Sequence, residues 1–294
     1  MTAGRSVDRL GGRLRRALVA CALCLAIGVG VAFCGRAMQH TIAFHPGRSA
    51  LPPASSVLSW AEDITLTTSD GYELASWFVP PSPGSAPRDQ AVLLAHGNGG
   101  DLAGRAPLAG ELADRGFAVL MLGYRGYAGN RGTPSEEGLV QDALAAQRDL
   151  QARGFPASRT IYLGESIGTG VVTGLAVRQP PGGLVLRSPF TSLHDVGATI
   201  VPIPPLVRFI MDRNHFPIAY QLAQAGAVAG VPVTVISGSA DEVVPAAQSA
   251  RVAQAAQHIF EELVIEGARH NDGVWLGAVV ADAVARLGDA IREP

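Results

Sequence analysis

A serine stands between two glycines where an apolar, β-rich segment gives way to a helix-forming run. The stretch IYLGESIGTG (161–170) contains Gly164, Ser166 and Gly168 in the pattern Gly-x-Ser-x-Gly. Glycines at these two positions remove side chains that would collide in a sharp strand-to-helix turn, so the serine hydroxyl stands exposed above the sheet. The next backbone N–H, that of Ile167, then points at a developing oxyanion. The pattern predicts Ser166 as a nucleophile for acyl transfer and Ile167 as one oxyanion donor.

A serine hydroxyl needs a base to take its proton, and a carboxylate behind that base. The histidines that follow Ser166 are His194, His215, His258 and His270. The first two fall in a long inserted segment, where surface or lid roles are expected. His258 is predicted near the end of a helix, where the helix dipole favours it. His270 follows a short strand in GARHND and can reach over the sheet, so it is the predicted base.

The orienting acid is expected between the serine and the histidine, because this is the chain order in this topology. Asp241 lies four residues after Ser237, in a turn that ends at Pro245. Its neighbour Glu242 is the competing carboxylate. The sequence favours Asp241 and leaves Glu242 as the alternative.

A glycine-rich loop, HGNGG (96–100), follows the first buried strand. Glycines let a backbone approach a ligand without a side-chain clash, so the N–H of Asn98 is the predicted second oxyanion donor, and Gly97 is expected to contact substrate. His96 is predicted to hold the loop by hydrogen bonds and to take no part in catalysis. A phosphate-binding P-loop is rejected, because no Lys-Ser/Thr follows.

Short apolar strands and helical stretches alternate along the chain after a first hairpin that turns at Asp70-Gly71. This alternation predicts an α/β fold with a doubly wound, mostly parallel sheet. Functional groups gather beyond the carboxyl ends of such strands, and all four features above follow strands. The segment 188–230 is too long for an ordinary connection and is predicted to be an inserted cap. Its apolar run ATIVPIPPLVRFIM either lines an acyl groove, touches a bilayer or packs on the domain's own core.

The composition indicates one large domain without cysteine chemistry. The chain has 294 residues, 48% of them hydrophobic, and a formal net charge of −2. A near-neutral charge gives no reason to expect nucleic acid as a partner. Cys21, Cys24 and Cys34 are the three cysteines, and all lie near the N-terminus. Disulfides and cysteine-based metal sites are therefore excluded from the rest of the chain.

The N-terminal region predicts attachment to a membrane. Residues 1–16 are basic, and residues 17–34 carry no charge over 18 positions, near the lower limit for a transmembrane helix. The positive-inside rule places residues 1–16 in the cytoplasm and the main domain outside it, in the periplasm. Signal cleavage and secretion is the alternative. Residues 35–58 are predicted as a linker and residues 59–294 as the main domain.

Together, the motifs resemble those of the α/β-hydrolase superfamily, and most closely its branch of membrane-anchored serine hydrolases with protein depalmitoylases and lysophosphatidylserine lipases. The resemblance covers residues 63 to 294 and rests on HGNGG (96–100), YRGY (124–127), GESIG (164–168), DEVVP (241–245) and HND (270–272). It implies Ser166 as nucleophile, His270 as base, Asp241 as orienting acid, and an oxyanion hole formed by Asn98 and Ile167. No metal or organic cofactor is required.

One motif departs from the family pattern Tyr-Arg-Gly-Tyr-Gly-x-Ser-x-Gly, since Ala128 and Asn130 replace the later glycine and serine. The local loop and its specificity are therefore expected to differ. Tyr124 and Arg125 are expected to contact substrate; Arg125 either orients substrate anions or ties the loop.

The expected function is hydrolysis of carboxylic esters or thioesters, with lipid-like acyl groups as substrates. A peptidase or amidase of the same fold is the first alternative. A catalytically silent binding module that keeps the fold is the second.

Overall fold

The computed structural model describes residues 30, 44–47, 49–200, 215–224, 228 and 230–292. Except for residue 30, the predicted anchor lies outside these residues, as does the centre of the predicted cap, 201–214. Within the described part of the chain, no helix has both the length and the apolar character needed to cross a bilayer. Two compact units are distinguished: residues 1–42 with 203–212, and residues 43–202 with 213–294. All strands and helices described below belong to the second unit.

The second unit is built on a sheet of eight strands in the order β10-β9-β8-β7-β4-β6-β3-β2. In this sheet β3 runs in the direction opposite to that of the other seven strands, so the sheet is mostly parallel, as predicted. Two further strands, β1 and β5, form a small parallel pair. The strands are β1 (His45–Pro46), β2 (Glu62–Thr67), β3 (Glu73–Val79), β4 (Ala91–Ala95), β5 (Gly99–Gly100), β6 (Ala118–Met121), β7 (Thr160–Glu165), β8 (Gly183–Arg187), β9 (Val233–Gly238) and β10 (Ile259–Ile265).

Helices connect the strands and cover both faces of the sheet. The α-helices are α1 (Ala106–Asp114), α2 (Glu136–Ala152), α3 (Ile167–Arg178), α4 (Leu193–Ile200), α5 (Ile218–Ala223), α6 (Ala246–Ala255) and α7 (Ala278–Ala290). Short 3₁₀ helices are Ala54–Ser56, Leu102–Arg105, Ala157–Arg159 and Gly273–Leu276.

Strand β4 shows why the central strands read as continuous apolar runs. Its side chains alternate between the faces of the sheet. Leu93 packs in one core with residues of α2, α3, α5 and α6, whereas Val92 and Leu94 pack in a second core with α1 and α7. A strand covered on both faces is apolar along nearly its whole length, and all five residues of β4 are buried.

The boundaries of α2 follow the signals in the sequence. The side chain of Ser135 accepts a hydrogen bond from the N–H of Gly138 at 3.1 Å, which caps the helix and satisfies one of its free N–H groups. Gly154 follows the helix with φ 95°, a conformation that favours glycine. Serine before a helix and glycine after it are residue types that favour these two ends.

Two helix predictions near the C-terminus are wrong in detail. The helix-forming stretch GVWLGAVVADAVARLGDAIRE predicts a last helix from Gly273 onward, but Gly277 has an extended backbone that separates the 3₁₀ turn from α7. His258 was expected within a helix, but α6 ends at Ala255. His258 lies beside the start of β10, and its carbonyl accepts a hydrogen bond from Val233. Pairing of β10 with β9 therefore ends the helix before the histidine.

Candidate active site

The turn between β7 and α3 holds Ser166 in a conformation that few L-residues adopt, with φ 51° and ψ −117°. A Cβ added to Gly164 would lie 2.5 Å from the carbonyl oxygen of Gly168. One added to Gly168 would lie 2.1 Å from the carbonyl oxygen of Ala95 in β4. Both positions therefore need glycine for the strand and helix to approach so closely.

His270 lies between β10 and the 3₁₀ helix Gly273–Leu276, and its ring contacts both other predicted residues. Its Nε2 is 3.2 Å from Oγ of Ser166, and its Nδ1 is 2.8 Å from Oδ2 of Asp241. An ionised carboxylate can only accept a hydrogen bond, so Nδ1 donates to it. Nε2 of the neutral ring then presents a lone pair to the serine hydroxyl. The structure thus brings together the three side chains that the sequence singled out.

Asp241 is fixed in the turn after β9 by donors other than the histidine. The N–H groups of Val243 and Val244 donate to Oδ1 at 3.0 and 2.7 Å, and the hydroxyl of Ser188 donates to Oδ2 at 2.9 Å. Burial raises the pKa of this carboxyl, but the hydrogen bonds from His270 and Val244 outweigh it and bring the pKa below its ordinary value. Asp241 is therefore a carboxylate at neutral pH.

Glu242, the alternative acid, takes a different position. Its Oε2 accepts a hydrogen bond from the backbone N–H of His270 at 3.3 Å and lies 3.5 Å from Nε of Arg269. Its side chain is 45% exposed. Glu242 thus contacts the backbone of the histidine loop, and the carboxylate that meets the imidazole is that of Asp241.

The HGNGG loop passes beside Ser166 and is held by the segment 44–47. A Cβ added to Gly97 would lie 3.5 Å from Cβ of Ser166. Oδ1 of Asn98 accepts hydrogen bonds from the N–H of His45 at 2.6 Å and from the hydroxyl of Tyr127 at 3.1 Å. The β1–β5 pair adds backbone pairing between the same two segments. The side chain of Asn98 thus anchors the loop, which passes within ordinary contact distance of the serine.

His96 and Tyr124 form the buried base of this loop. The Nδ1–H of His96 donates to the carbonyl of Gly97 at 2.7 Å, and the hydroxyl of Tyr124 donates to the carbonyl of His96 at 3.0 Å. Burial lowers the pKa of His96 to about 4, so the ring is neutral at pH 7. These contacts fit the expected structural role of His96. They also place the Tyr124 hydroxyl, which was expected to contact substrate, against the loop backbone.

Arg125 is engaged by two carboxylates. Its Nη2 is 2.7 Å from Asp142, and its Nη1 is 2.7 Å from Asp70. The guanidinium also lies over the ring of Tyr72, 4.5 Å from its centre. Of the two roles the sequence left open, substrate orientation and loop tying, these contacts favour loop tying.

Three charged residues beneath the site were not selected by the sequence analysis. Glu165 accepts a hydrogen bond from Nε of Arg105 at 2.8 Å and lies 3.5 Å from Nη2 of Arg187. The side chains of Glu165 and Arg187 are 2% and 5% exposed. Two of the three could have been identified in the sequence, because Glu165 and Arg187 are charged residues at the carboxyl ends of the largely apolar strands β7 and β8.

The expectation that no metal is required stays a prediction. Among the described residues, no group of three or more His, Cys, Asp or Glu side chains is arranged to hold a metal ion.

Comparison with known proteins gives relatives along most of the chain. A family model described as serine aminopeptidase, S33, matches residues 86–220. The protein is 43% identical over 275 residues to the uncharacterized protein Rv2307c of Mycobacterium tuberculosis (strain H37Rv), covering 92% of this chain and 95% of that one. It is 32% identical over 197 residues to the α/β-hydrolase domain-containing protein WAV2 of Arabidopsis thaliana, covering 63% of each chain. It is 36% identical over 128 residues to the lysophosphatidylserine lipase ABHD12 of Danio rerio, covering 41% of this chain and 32% of that one.

Solved structures share the fold at low sequence identity. An α/β hydrolase from Vibrio vulnificus matches with a TM-score of 0.65 at 20% identity, covering 82% of this chain and 88% of that one. The esterase Pf2001 from Pyrococcus furiosus matches with a TM-score of 0.64 at 21% identity, covering 84% and 99%. The chain belongs to the α/β-hydrolase superfamily, as the motif series predicted. Its relatives support hydrolase activity, and WAV2 and ABHD12 fit the branch indicated by the motifs.

Proposed function

We propose that the protein is a serine hydrolase that cleaves carboxylic ester or thioester bonds through an acyl-enzyme on Ser166. The observation that carries this proposal is the chain of contacts from Asp241 through His270 to Ser166, with distances of 2.8 and 3.2 Å. The serine stands on a strained turn at the end of a parallel strand, where ligands approach such sheets.

In the proposed mechanism, Ser166 attacks the acyl carbonyl while Nε2 of His270 takes the hydroxyl proton. Asp241 orients the ring and stabilises the imidazolium that forms. The protonated His270 then gives its proton to the leaving alcohol or thiol, which departs and leaves the acyl group on the serine. Water then enters and attacks the acyl carbonyl while His270 takes a proton from it. The bond between the acyl group and Oγ of Ser166 breaks, the protonated His270 returns the proton to Oγ, and the free acid leaves.

The N–H groups of Asn98 and Ile167 are proposed to hold the oxyanion of both tetrahedral intermediates. Support comes from the closeness of Gly97 to Ser166 and from the start of α3 at Ile167. Donors fixed in advance cost no reorganisation during the reaction, and removing one donor costs about 3 kcal/mol of barrier stabilisation in related chemistry. Gly97 gives the acyl group room to approach this pair.

A lipid-like acyl group is the proposed substrate class. The apolar run of the predicted cap and the apolar segment 17–34 support it, as does the similarity to a relative named as a lysophosphatidylserine lipase. A second candidate, hydrolysis of peptide or amide bonds, is supported by the family model described as serine aminopeptidase. Both use the same nucleophile and differ in the leaving group.

A panel of substrates separates these candidates. Purified protein is assayed on acetyl, butyryl and long-chain esters, on acyl thioesters and on aminoacyl amides, with Ser166→Ala as the control. The proposal predicts faster turnover of esters and thioesters than of amides, with kcat/KM rising with acyl length. Equal rates on acetyl and long-chain esters would count against lipid-like substrates, and preference for amides would favour the peptidase. A wild-type protein that turns over none of them would favour a silent binding module.

Residues 17–34 are proposed to anchor the protein in a membrane, with residues 1–16 in the cytoplasm. Residues 35–58 are proposed as a connecting segment. The hydrolase domain, residues 59–294 with a cap insertion at 188–230, is proposed to lie in the periplasm. The support is the uncharged run that follows five arginines. Secretion after signal cleavage remains the alternative.

A further inference from the structure

Glu165, the residue before the proposed nucleophile, is a buried carboxylate between two arginines. Parallel pairing places Glu165 of β7 directly beside Arg187 of β8. On its other side, Arg105 donates to the carboxylate through Nε at 2.8 Å. Burial alone would raise the pKa of Glu165, but the charges of Arg187 and Arg105 bring it below its ordinary value. An ion cluster with good hydrogen-bond geometry is needed to offset the cost of burying these charges.

Arg187 continues from this cluster to the loop of the proposed base. Its Nη1 donates to the carbonyl oxygen of His270 at 3.0 Å and lies 3.4 Å from Oγ of Ser188, whose hydroxyl donates to Asp241. The guanidinium lies 5.6 Å from the centre of the Trp275 ring, and the indole N–H of Trp275 donates to the carbonyl of Arg269. Two consecutive carbonyls of the histidine loop, those of Arg269 and His270, are thus held by Trp275 and Arg187.

Arg105 continues from the same carboxylate to the HGNGG loop. Its Nη1 donates to the carbonyl of Gly99 at 3.3 Å and reaches that of Asp101 at 3.5 Å. Its Nη2 would lie 3.5 Å from a Cβ added to Gly97. One carboxylate therefore connects the strand that carries Ser166 with the loop of the base and with the loop of the proposed oxyanion hole.

We propose that Glu165, Arg187 and Arg105 are positioning residues that hold His270 and the HGNGG loop in register with Ser166. This inference rests on the proposed function. Misplacing a reacting group by about 1 Å costs up to about 100-fold in rate. Because the cluster contacts the backbone of the two loops, its loss is expected to lower kcat while KM changes little.

Glu165→Gln and Arg187→Lys test this in the full chain. The first keeps the shape of the side chain and removes its charge, and the second keeps the charge and removes the planar fork. The measurements are kcat and KM on p-nitrophenyl butyrate, the rate of reaction with a fluorophosphonate probe, and folding by circular dichroism and thermal melting. We expect Glu165→Gln to lower kcat and the labelling rate by up to about 100-fold, Arg187→Lys to lower both by a smaller factor, and KM to stay within about twofold.

Arg115→Met is the control. Arg115 also joins two carboxylates, Glu111 and Asp282, but on helices α1 and α7, so its loss is expected to affect melting and to leave kcat unchanged. Wild-type kcat in both Glu165→Gln and Arg187→Lys would overturn the inference. A kcat loss that only follows loss of folded protein in both variants would also overturn it, because the cluster would then serve stability alone. A wild-type protein that neither turns over the ester nor reacts with the probe would instead refute the proposed function.

Discussion

Asp241 shows at the scale of a single residue how hydrogen bonds set the charge of a buried group. The carboxylate accepts three protein hydrogen bonds besides those of the imidazole, and its pKa lies below the ordinary value despite burial. It therefore stays ionised at neutral pH. The proposed mechanism needs this charge, because it fixes the tautomer of the ring and stabilises the imidazolium.

Asp241→Asn keeps the shape of this side chain and removes its charge, so His270 is expected to lose the tautomer that accepts the serine proton. We predict a fall in kcat of about 10³- to 10⁴-fold, measured on p-nitrophenyl butyrate. Glu242→Gln is the matched control, since the neighbouring carboxylate is exposed and contacts the backbone of His270 and the side chain of Arg269, not the imidazole. Equal losses in the two variants would contradict the assignment of Asp241 as the orienting acid.

His96 carries a second prediction for a single residue, this time on stability. Burial lowers its pKa from 6.5 to about 4 in the folded protein, so between these values the unfolded chain binds a proton that the folded chain does not. The contribution of the neutral His96 to the free energy of unfolding is therefore fully present above pH 6.5 and is lost as the pH falls toward 4. We predict that the free energy of unfolding of the wild type falls by about 2 kcal/mol more than that of His96→Gln between pH 7.5 and pH 5.

Urea unfolding at the two pH values measures this difference. The other histidines are present in both proteins, so their effects cancel in the comparison. An equal fall in the free energy of unfolding of wild type and variant between the two pH values would show that His96 is not held neutral by burial.

At the scale of elements, the contact between α3 and β4 is set by glycine. A Cβ on Gly168 would meet the carbonyl oxygen of Ala95 at 2.1 Å, and backbone cannot yield as a flexible side chain can. Gly168→Ala is expected to push the start of α3 away from the sheet, to destabilise the protein by at least about 2 kcal/mol and to lower kcat, as measured by urea unfolding and ester turnover.

Gly110→Ala in α1 is the control for this change. A Cβ there would lie 3.6 Å from Leu58, an ordinary contact, and alanine favours a helix interior over glycine by about 1 kcal/mol. Its stability should stay equal or rise, with unchanged kcat. A Gly168→Ala protein as stable and active as this control would contradict the need for close approach.

Elements also explain what could be predicted from the sequence. The carboxyl ends of parallel strands lie at the same edge of a sheet. Ser166, Asp241 and His270 each follow such a strand, so their closeness could be predicted once the three strands were recognised in the sequence. The cluster around Glu165 depends on the register between β7 and β8 and on a loop that returns Arg105 to the same point. Neither is encoded in a local pattern. The same reason accounts for His258, whose position is set by pairing of β10 with β9.

At the scale of the whole molecule, we propose that residues 17–34 attach the hydrolase domain to a membrane. The uncharged run of residues 17–34 follows a basic stretch, and the proposal is a single membrane span. We predict that the full chain sediments with membranes and resists extraction with alkaline carbonate, whereas a chain that lacks residues 1–34 does not sediment. Recovery of a shortened mature protein in the soluble fraction would instead support signal cleavage.

The most direct test of the central claim maps where a fluorophosphonate attaches to the protein. Intact wild-type protein is treated with the probe, digested and analysed by mass spectrometry, beside Ser166→Ala and His270→Ala. The account predicts a single adduct on Ser166, none in Ser166→Ala, and labelling at least about 100-fold slower in His270→Ala, because the base activates the hydroxyl. An unlabelled wild-type protein, or an adduct on a different serine, would contradict it.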